Sequence, residues 1–390
     1  MSLRVLLIPD KFKGTLTASQ AANAIAAGWR KVRPTDRLTL LPMSDGGDGF
    51  GGIFGGLLGA TPRTLQTVDA AYRRVRAQWW FAPSSRTAIV ESANVIGLAM
   101  LPAGRFHPFE LDTFGLGAVL NAAARIGARH CLIGIGGSAT NDGGFGMARA
   151  LGWQFLDERS MPIQRWTELD SLSRIVPPTK PPLKRMKVVV AVDVQNPLLG
   201  PRGASRVYGP QKGLRSSDFI RAERCLRRMA EVMRRTSGKD HAATPGAGAA
   251  GGLGFGLFAF AGARAESGID LFSRHARLRR RLRAVDLVIT GEGSTDRSTL
   301  MGKGVGDIAR LCQQLRIPCI GLAGVARNER AVRRVFASVS AITPGLTTPE
   351  NARTQPARWL KKLAAVVGED WQSRVRGRSV RNRRNDAVTR

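Results

Sequence analysis

Short apolar runs that stop abruptly at polar, glycine-bearing turns constrain this chain more than any other feature. Arg4 to Ile8 ends in Pro9-Asp10, and Ala88 to Val90 ends at Glu91. Cys131 to Ile135, Val188 to Val192, Leu287 to Thr290 and Cys319 to Leu322 likewise run into turns carrying Gly or Asp. Runs of this length without polar alternation predict strands buried on both faces. That is the habit of a parallel sheet covered by helices, whose ligand sites lie outside the strands' carboxyl ends. Helical periods fall between the runs. Thr17-Ala18-Ser19-Gln20 has capping-box spacing ahead of Ala21, Ile25, Trp29 and Val32. Leu116, Val119, Leu120, Ala123 and Ile126 mark one face of a second helix. The expectation is an α/β protein, and 390 residues allow two domains. Pro177 to Pro182 reads as a stiff connector and Ser237 to Thr244 as a polar hinge.

The 45 glycines gather in turns that also carry carboxylates, amides and hydroxyls. These turns are Ser44 to Gly49, Gly134 to Gly144, Asp193 to Pro197, Gly209 to Gly213, Pro245 to Gly252, and Thr290 to Gly293 followed by Asp296 and Gly302-Lys303-Gly304. Glycine lets successive backbone N–H groups turn toward an anion, and a following helix N-terminus adds its dipole. Neighbouring Asp residues suit Mg²⁺, a hard cation that takes oxygen ligands. Phosphoryl transfer needs this set: donors around a phosphate, a metal, a Lys, and a carboxylate for the attacking hydroxyl. Singly, each turn has a plainer reading. An Asp-Gly-Gly is most often only a turn, and the Gly246 to Gly254 stretch also permits close helix packing. What the plain readings explain poorly is that so many such turns follow buried strands.

Known patterns narrow the choice by failing. Gly302-Lys303 is followed by Gly304 and Gly238-Lys239 by Asp240, so no P-loop occurs. Gly246 to Gly251 fits G-x-G-x-x-G but follows a polar stretch rather than a strand, which argues against a dinucleotide fold. No nucleophile elbow or protein-kinase catalytic loop is present.

The net charge of +31 invites a nucleic-acid reading, so its location matters. Arg outnumbers Lys 49 to 11. One cluster, Arg274 to Arg283, fits the polar side of a short helix whose apolar side carries Leu278, Leu282 and Val285. Another fills the tail beyond Gln372, which has no apolar period and is expected to be disordered. Without a zinc finger, zipper or ribonucleoprotein strand, the charge predicts non-specific polyanion contact rather than a specific nucleic-acid partner. Cys131, Cys225, Cys312 and Cys319 show no metal-type spacing and read as buried, reduced thiols of a cytoplasmic protein. The apolar runs are too short to span a membrane, and the first residues carry no signal-peptide pattern.

Taken in order, Pro9-Asp10 with Lys13, Asp45-Gly46-Gly47, Gly134 to Gly144, Asp193 to Pro197, Gly203 to Gly213, Pro245 to Gly254, and Leu287 to Gly293 with Asp296 and Gly302-Lys303 resemble the bacterial two-domain glycerate kinase family. The resemblance runs from about Arg4 to Gly368. It implies ATP-dependent phosphorylation of D-glycerate, in this type at the 2-hydroxyl. It implies a flavodoxin-like domain built from residues 1–65 and 286–370, a second α/β domain of residues 66–285 inserted into it, and a site in the cleft between them; the basic tail, residues 371–390, lies beyond the family's usual end. Asp193, Lys13 and Asp296 become the catalytic candidates. Substrate and ATP would be held by Asp45, Gly46, Gly47, Gly136, Gly137, Ser138, Thr140, Asn141, Asn196, Gln211, Lys212, Gly248, Gly251, Glu292 and Lys303, with Mg²⁺ at Asp45 and Asp142. The chain departs from the family with Lys11 for Ser, Ser294 for Arg and Ser298 for Gln, and it lacks the usual glycine-bearing turn across Val68 to Val75. Two alternatives stay open: a kinase of another small hydroxy acid, and a kinase fold that only binds. The residues do not give the oligomeric state.

Overall fold

The computed structural model describes residues 2–295, 299, 304–327 and 332–371. Its strands are β1 (Arg4–Leu7), β2 (Arg37–Leu40), β3 (Thr61–Val68), β4 (Arg74–Ala82), β5 (Thr87–Glu91) and β6 (His130–Gly134). They continue with β7 (Gln154–Leu156), β8 (Arg174–Val176), β9 (Lys187–Ala191), β10 (Arg264–Glu266), β11 (Leu287–Thr295), β12 (Cys319–Ala326) and β13 (Ser338–Thr343). All six apolar runs named from the sequence are strands, each within a residue or a few of its expected bounds.

The chain divides into two units, one built from residues up to Ser44 and from Phe272 on, the other from Asp45–Leu271. The boundaries therefore fall at 44/45 and 271/272 rather than at 65/66 and 285/286. The helix Phe50–Leu58 explains the first shift, because it packs on β4 and β5 of the inserted unit. Gly51 and Gly55 let it approach closely, since a Cβ at either would overlap the Trp80 indole.

The discontinuous unit holds a parallel five-stranded sheet in the order β13-β12-β11-β1-β2. Numbering its own strands in chain order gives 2-1-3-4-5, the flavodoxin-like doubly wound order. The runs at Arg4, Leu287 and Cys319 all lie in this sheet. The helix Ala18–Val32 starts with the expected capping box, the Thr17 hydroxyl accepting from Gln20 N–H and the Gln20 side chain from Thr17 N–H. Ala21, Ile25 and Trp29 are fully buried against Val5, Leu7 and Leu360. The Trp29 indole donates to Asp36 Oδ2 at 2.9 Å, which satisfies its polar atom inside the core.

The inserted unit is a six-stranded sheet, β10-β9-β6-β5-β4-β3, in which β10, β9, β6 and β5 run parallel and β4 and β3 form an antiparallel edge. A two-stranded ribbon of β7 and β8 stands apart from it. In the helix Phe114–Arg125, Leu116, Val119, Leu120 and Ala123 are buried as expected, but Ile126 is 39% exposed. It sits one residue past the helix, where the chain turns toward Gly127. The expected single helix across Arg274 to Arg283 is two, Gly268–His275 and Leu278–Leu282, broken where Arg277 takes a left-handed backbone (φ 48°). Leu278 and Leu282 are buried, Val285 lies beyond the second helix, and the arginines face solvent.

Candidate functional site

In the inserted unit the ligand-type turns gather at the carboxyl ends of β5, β6 and β9, where a parallel sheet opens its site. Glu91, the last residue of β5, accepts from Gly49 N–H at 2.8 Å and Gly51 N–H at 2.9 Å. It thereby satisfies unpaired donors at the N-terminus of the helix Phe50–Leu58 and anchors the Ser44 to Gly49 turn. That turn lies across the end of β6: Gly136 N–H donates to the Gly46 carbonyl at 3.2 Å, and a Cβ on Gly136 would lie 2.7 Å from Gly47 Cα. Asp45 Oδ1 accepts from Gly47 N–H at 3.0 Å.

Asp193 follows β9, and its Oδ1 accepts from Gly268 N–H at 3.1 Å. A Cβ on Gly268 would overlap the Asp45 carbonyl and sit 2.8 Å from Asp193 Oδ2. Gly268 is thus the close-approach point that lets the Asp45 turn and the Asp193 carboxylate share one corner. Neither Gly268 nor Glu91 was assigned a site role from the sequence. Their signal is spatial, a strand-end carboxylate facing a helix N-terminus and a lone glycine beside two loops. Asp45, Gly47, Gly136, Gly137, Asp193 and Asn196 all retain some solvent exposure.

The remaining candidates in this unit are interior. Ser138, Thr140, Asn141, Asp142, Lys212, Gly248 and Gly251 are buried. Asp142 accepts four hydrogen bonds: from Thr113 N–H (3.0 Å), the Thr113 hydroxyl (2.7 Å), Gly146 N–H (2.9 Å) and Gly144 N–H (3.2 Å). Burial raises its carboxyl above the usual range, against those hydrogen bonds. The Lys212 ammonium donates to the Thr140 carbonyl at 2.7 Å, and burial lowers its pKa to about 7 while Asp142 pulls it back up. Gly251 has φ +72°, and a Cβ there would overlap the Thr140 carbonyl oxygen and lie 2.8 Å from Lys212 Nζ. Ser138 Oγ pairs with the Thr140 hydroxyl at 3.0 Å, and Asn141 Nδ2 donates to Ser205 Oγ at 2.9 Å. Asn196 organises its own loop, accepting from the Tyr208 hydroxyl and donating to the Arg202 carbonyl, each at 2.8 Å. Gln211 is exposed on the turn Pro210–Lys212.

The discontinuous unit presents its own set at the topological switch point of its sheet, beside β1 and β11. Glu292 Oε1 accepts from the Thr299 hydroxyl at 2.7 Å, and Asp10 Oδ1 accepts from Lys11 N–H at 2.7 Å. A Cβ on Gly304 would stand 3.6 Å from Asp10 Oδ2. Lys13 is exposed. Asp10 joins this set although only its place in the strand-end motif had been noted. Asp296, Ser298 and Lys303 lie outside the described residues. No group of three or more His, Cys, Asp or Glu gathers to hold a metal among the described residues. Mg²⁺ in phosphoryl transfer takes one or two carboxylates together with phosphate oxygens and water, so the half-exposed Asp45 fits it without a protein cage. Asp142, with both oxygens engaged by four donors, fits it less well. The four cysteines are free and buried, as expected.

A discontinuous flavodoxin-like unit and an α/β unit inserted into it, with carboxylate- and glycine-bearing turns at the strand ends of both, define the class: a two-unit α/β protein. The chain belongs to the glycerate kinase family, which it matches over residues 5–372. It is 36% identical over 332 residues to glycerate 2-kinase of Escherichia coli K12, covering 85% of this chain and 87% of that one. It is 37% identical over 322 residues to glycerate kinase of Halalkalibacterium halodurans, covering 82% and 85%. The crystal structure of a candidate glycerate kinase 2 from Salmonella typhimurium LT2 superposes with a TM-score of 0.83 at 32% identity, over 96% of this chain and 100% of that one. No helix among the described residues is long and apolar enough to cross a membrane.

Proposed function

We propose that this enzyme transfers the γ-phosphoryl group of ATP to D-glycerate at the 2-hydroxyl, in the cytoplasm. The observation that carries the reading is the corner where Asp193 meets the Asp45 turn through Gly268. Asp193 orients the glycerate hydroxyl and takes up its proton as the oxygen attacks phosphorus. Its Oδ1 is fixed by Gly268 N–H at 3.1 Å. Asp45 would hold Mg²⁺, which when bound would supply positive charge to the phosphates. Gly137, exposed on its turn with a positive φ, can present its N–H to a phosphate oxygen without a Cβ in the way, while the N–H groups of Gly47 and Gly136 hold the turns in shape. Thr140, Asn141, Asp142, Lys212, Gly248 and Gly251 act behind this surface, holding the turns in shape. Steady-state turnover of Asp193→Asn tests the reading: loss of about 10²-fold or more in kcat is expected. Turnover near that of the unsubstituted enzyme would remove Asp193 from the role.

A further inference from the structure

The last residues of three neighbouring parallel strands, Glu91 of β5, Gly134 of β6 and Ala191 of β9, stand side by side in register. The Ser44 to Gly49 turn and the first residue of the helix after it lie over all three. A Cβ on Gly134 would come within 2.8 Å of the Gly46 carbonyl oxygen and 2.7 Å of Phe50 Cγ, and a Cβ on Gly46 within 2.8 Å of Ala191 Cβ. Gly134 and Ala191 thus set how closely the turn can approach the sheet. Its two ends are held by polar contacts. At the Gly46 end, Gly136 N–H donates to the Gly46 carbonyl; at the helix end, the two oxygens of Glu91 accept separately from Gly49 N–H and Gly51 N–H.

Glu91 is an unusual means of capping. The helix Phe50–Leu58 has no cap of its own: Gly49 stands at the N-cap with φ 86°, no side chain bonds there, and the first turn holds no acidic residue. The helix Ala18–Val32, by contrast, is capped by its own neighbour Thr17. A local cap satisfies the donors and leaves the helix free to shift on the sheet. A carboxylate 40 residues further on, at a strand end, ties helix and sheet together. Glu91 is 7% exposed, and burying a carboxylate is unfavourable in itself. Two charge-assisted hydrogen bonds and the positive end of the helix offset that loss, and what the arrangement adds over a local cap is position. The residues after Glu91 hold the facing turn in the same way. Ser92 N–H donates to the Gly134 carbonyl at 2.9 Å, Leu98 N–H to the Gly137 carbonyl at 2.8 Å, and Ala139 N–H to the Ile96 carbonyl at 2.8 Å. One short segment, Glu91 to Leu98, therefore fixes both the turn that carries Asp45 and the turn that carries Gly137.

We propose that Glu91 is a positioning residue for phosphoryl transfer, setting where Asp45 stands relative to Asp193 and Gly137 without touching a reactant. The inference rests on the kinase reading above. Asp45 and Asp193 share one corner through Gly268, so a turn released by Glu91 opens that corner. A misplacement of about 1 Å can cost about 10²-fold in rate.

Two variants test it in the full-length enzyme. Glu91→Gln keeps the shape of the side chain, removes the charge and turns a donor toward one of the two N–H groups. Glu91→Asp keeps the charge on a side chain one methylene shorter, and carries the same measurements should Glu91→Gln fail to fold. Hydrogen exchange read by mass spectrometry should be about tenfold faster or more in Glu91→Gln across residues 44–58, and unchanged in the helix Ala18–Val32. The kcat of Glu91→Gln should fall about tenfold to hundredfold, with Glu91→Asp between it and the unsubstituted enzyme. A double-mutant cycle with Asp193→Asn separates position from folding. If Glu91 acts by placing that corner, its substitution should cost about twofold or less once Asp193 is lost, whereas a smaller folded fraction lowers kcat by the same factor in both backgrounds. Equal factors, or unchanged exchange across 44–58, would overturn the inference. An unsubstituted chain that phosphorylates no hydroxy acid, with exchange still faster in Glu91→Gln, would overturn the kinase reading and leave Glu91 as the clamp of the turn.

Discussion

Lys212 and Asp142 are charged residue types in glycine-rich turns, which is why the sequence places them at a ligand. Both are buried. Lys212 is 6% exposed, and its ammonium spends a hydrogen bond on the Thr140 carbonyl. No local pattern announces this, because the segment that covers Thr140 to Gly144 comes more than a hundred residues later, at Gly251 to Gly256. A buried lysine leaves a thermodynamic trace. Its folded pKa is lowered to about 7 from 10.5, so between those values the unfolded chain binds the extra proton. Stability therefore rises with pH across that window, by up to about 1.4 kcal/mol per unit, and below it the folded state bears the cost of a buried charge. Lys212→Met lacks this term. Denaturant melts of both proteins at pH 7 and pH 10 should show the unsubstituted chain gaining stability relative to Lys212→Met as pH rises. A difference independent of pH would place the ammonium in water. Asp193 and Asp45, by contrast, keep some solvent exposure at the strand ends. What the sequence lacked was Gly268, whose missing side chain brings them together.

The parallel strands were readable because strands buried on both faces carry continuous apolar runs that local reading detects. The edge strands were not. β3 is mostly exposed and β4 alternates, with Arg74 and Arg76 on its outer face, so neither forms an apolar run. Capping was legible where it is a local pattern, as at Thr17. The turn at Asp69 was not, since there a carboxylate accepting from Ala71 N–H and Arg73 N–H holds Tyr72 in the left-handed conformation (φ 60°) that favours glycine. Between elements, the segment Gly248 to Gly252 does what its composition allows in a way no motif predicted. Ala250, Gly251 and Gly252 are all left-handed, kinking the helix Ala249–Ala261 so that Gly143 N–H reaches the Gly251 carbonyl at 3.1 Å. Gly251→Ala places a Cβ into the Thr140 carbonyl at a positive φ. Unfolding should show a loss of about 2–4 kcal/mol, within the range for a strained, overpacked site. A loss of a few tenths would mean that the turn yields easily.

On the scale of the whole molecule, the flavodoxin-like class of the discontinuous unit followed from the family resemblance, and the unit boundaries did not, because they depend on where Phe50–Leu58 packs. Part of the positive charge lies outside the ligand turns, in the six exposed arginines from Arg274 to Arg283 and in seven arginines after Gln372. Deleting residues 372–390 should leave turnover intact and weaken retention on DNA at low salt. Seven phosphate contacts would give a log–log salt slope of roughly −6. A large loss of kcat on deletion would make that segment part of the working enzyme. The central claim is phosphoryl transfer from ATP to the 2-hydroxyl of D-glycerate, and phosphorus NMR of the product tests it most directly. Purified full-length protein with MgATP and D-glycerate should yield ADP and 2-phosphoglycerate in equal amounts. Formation of 3-phosphoglycerate would contradict the assigned hydroxyl, and no phosphorylated product from glycerate, with another hydroxy acid phosphorylated instead, would contradict the substrate.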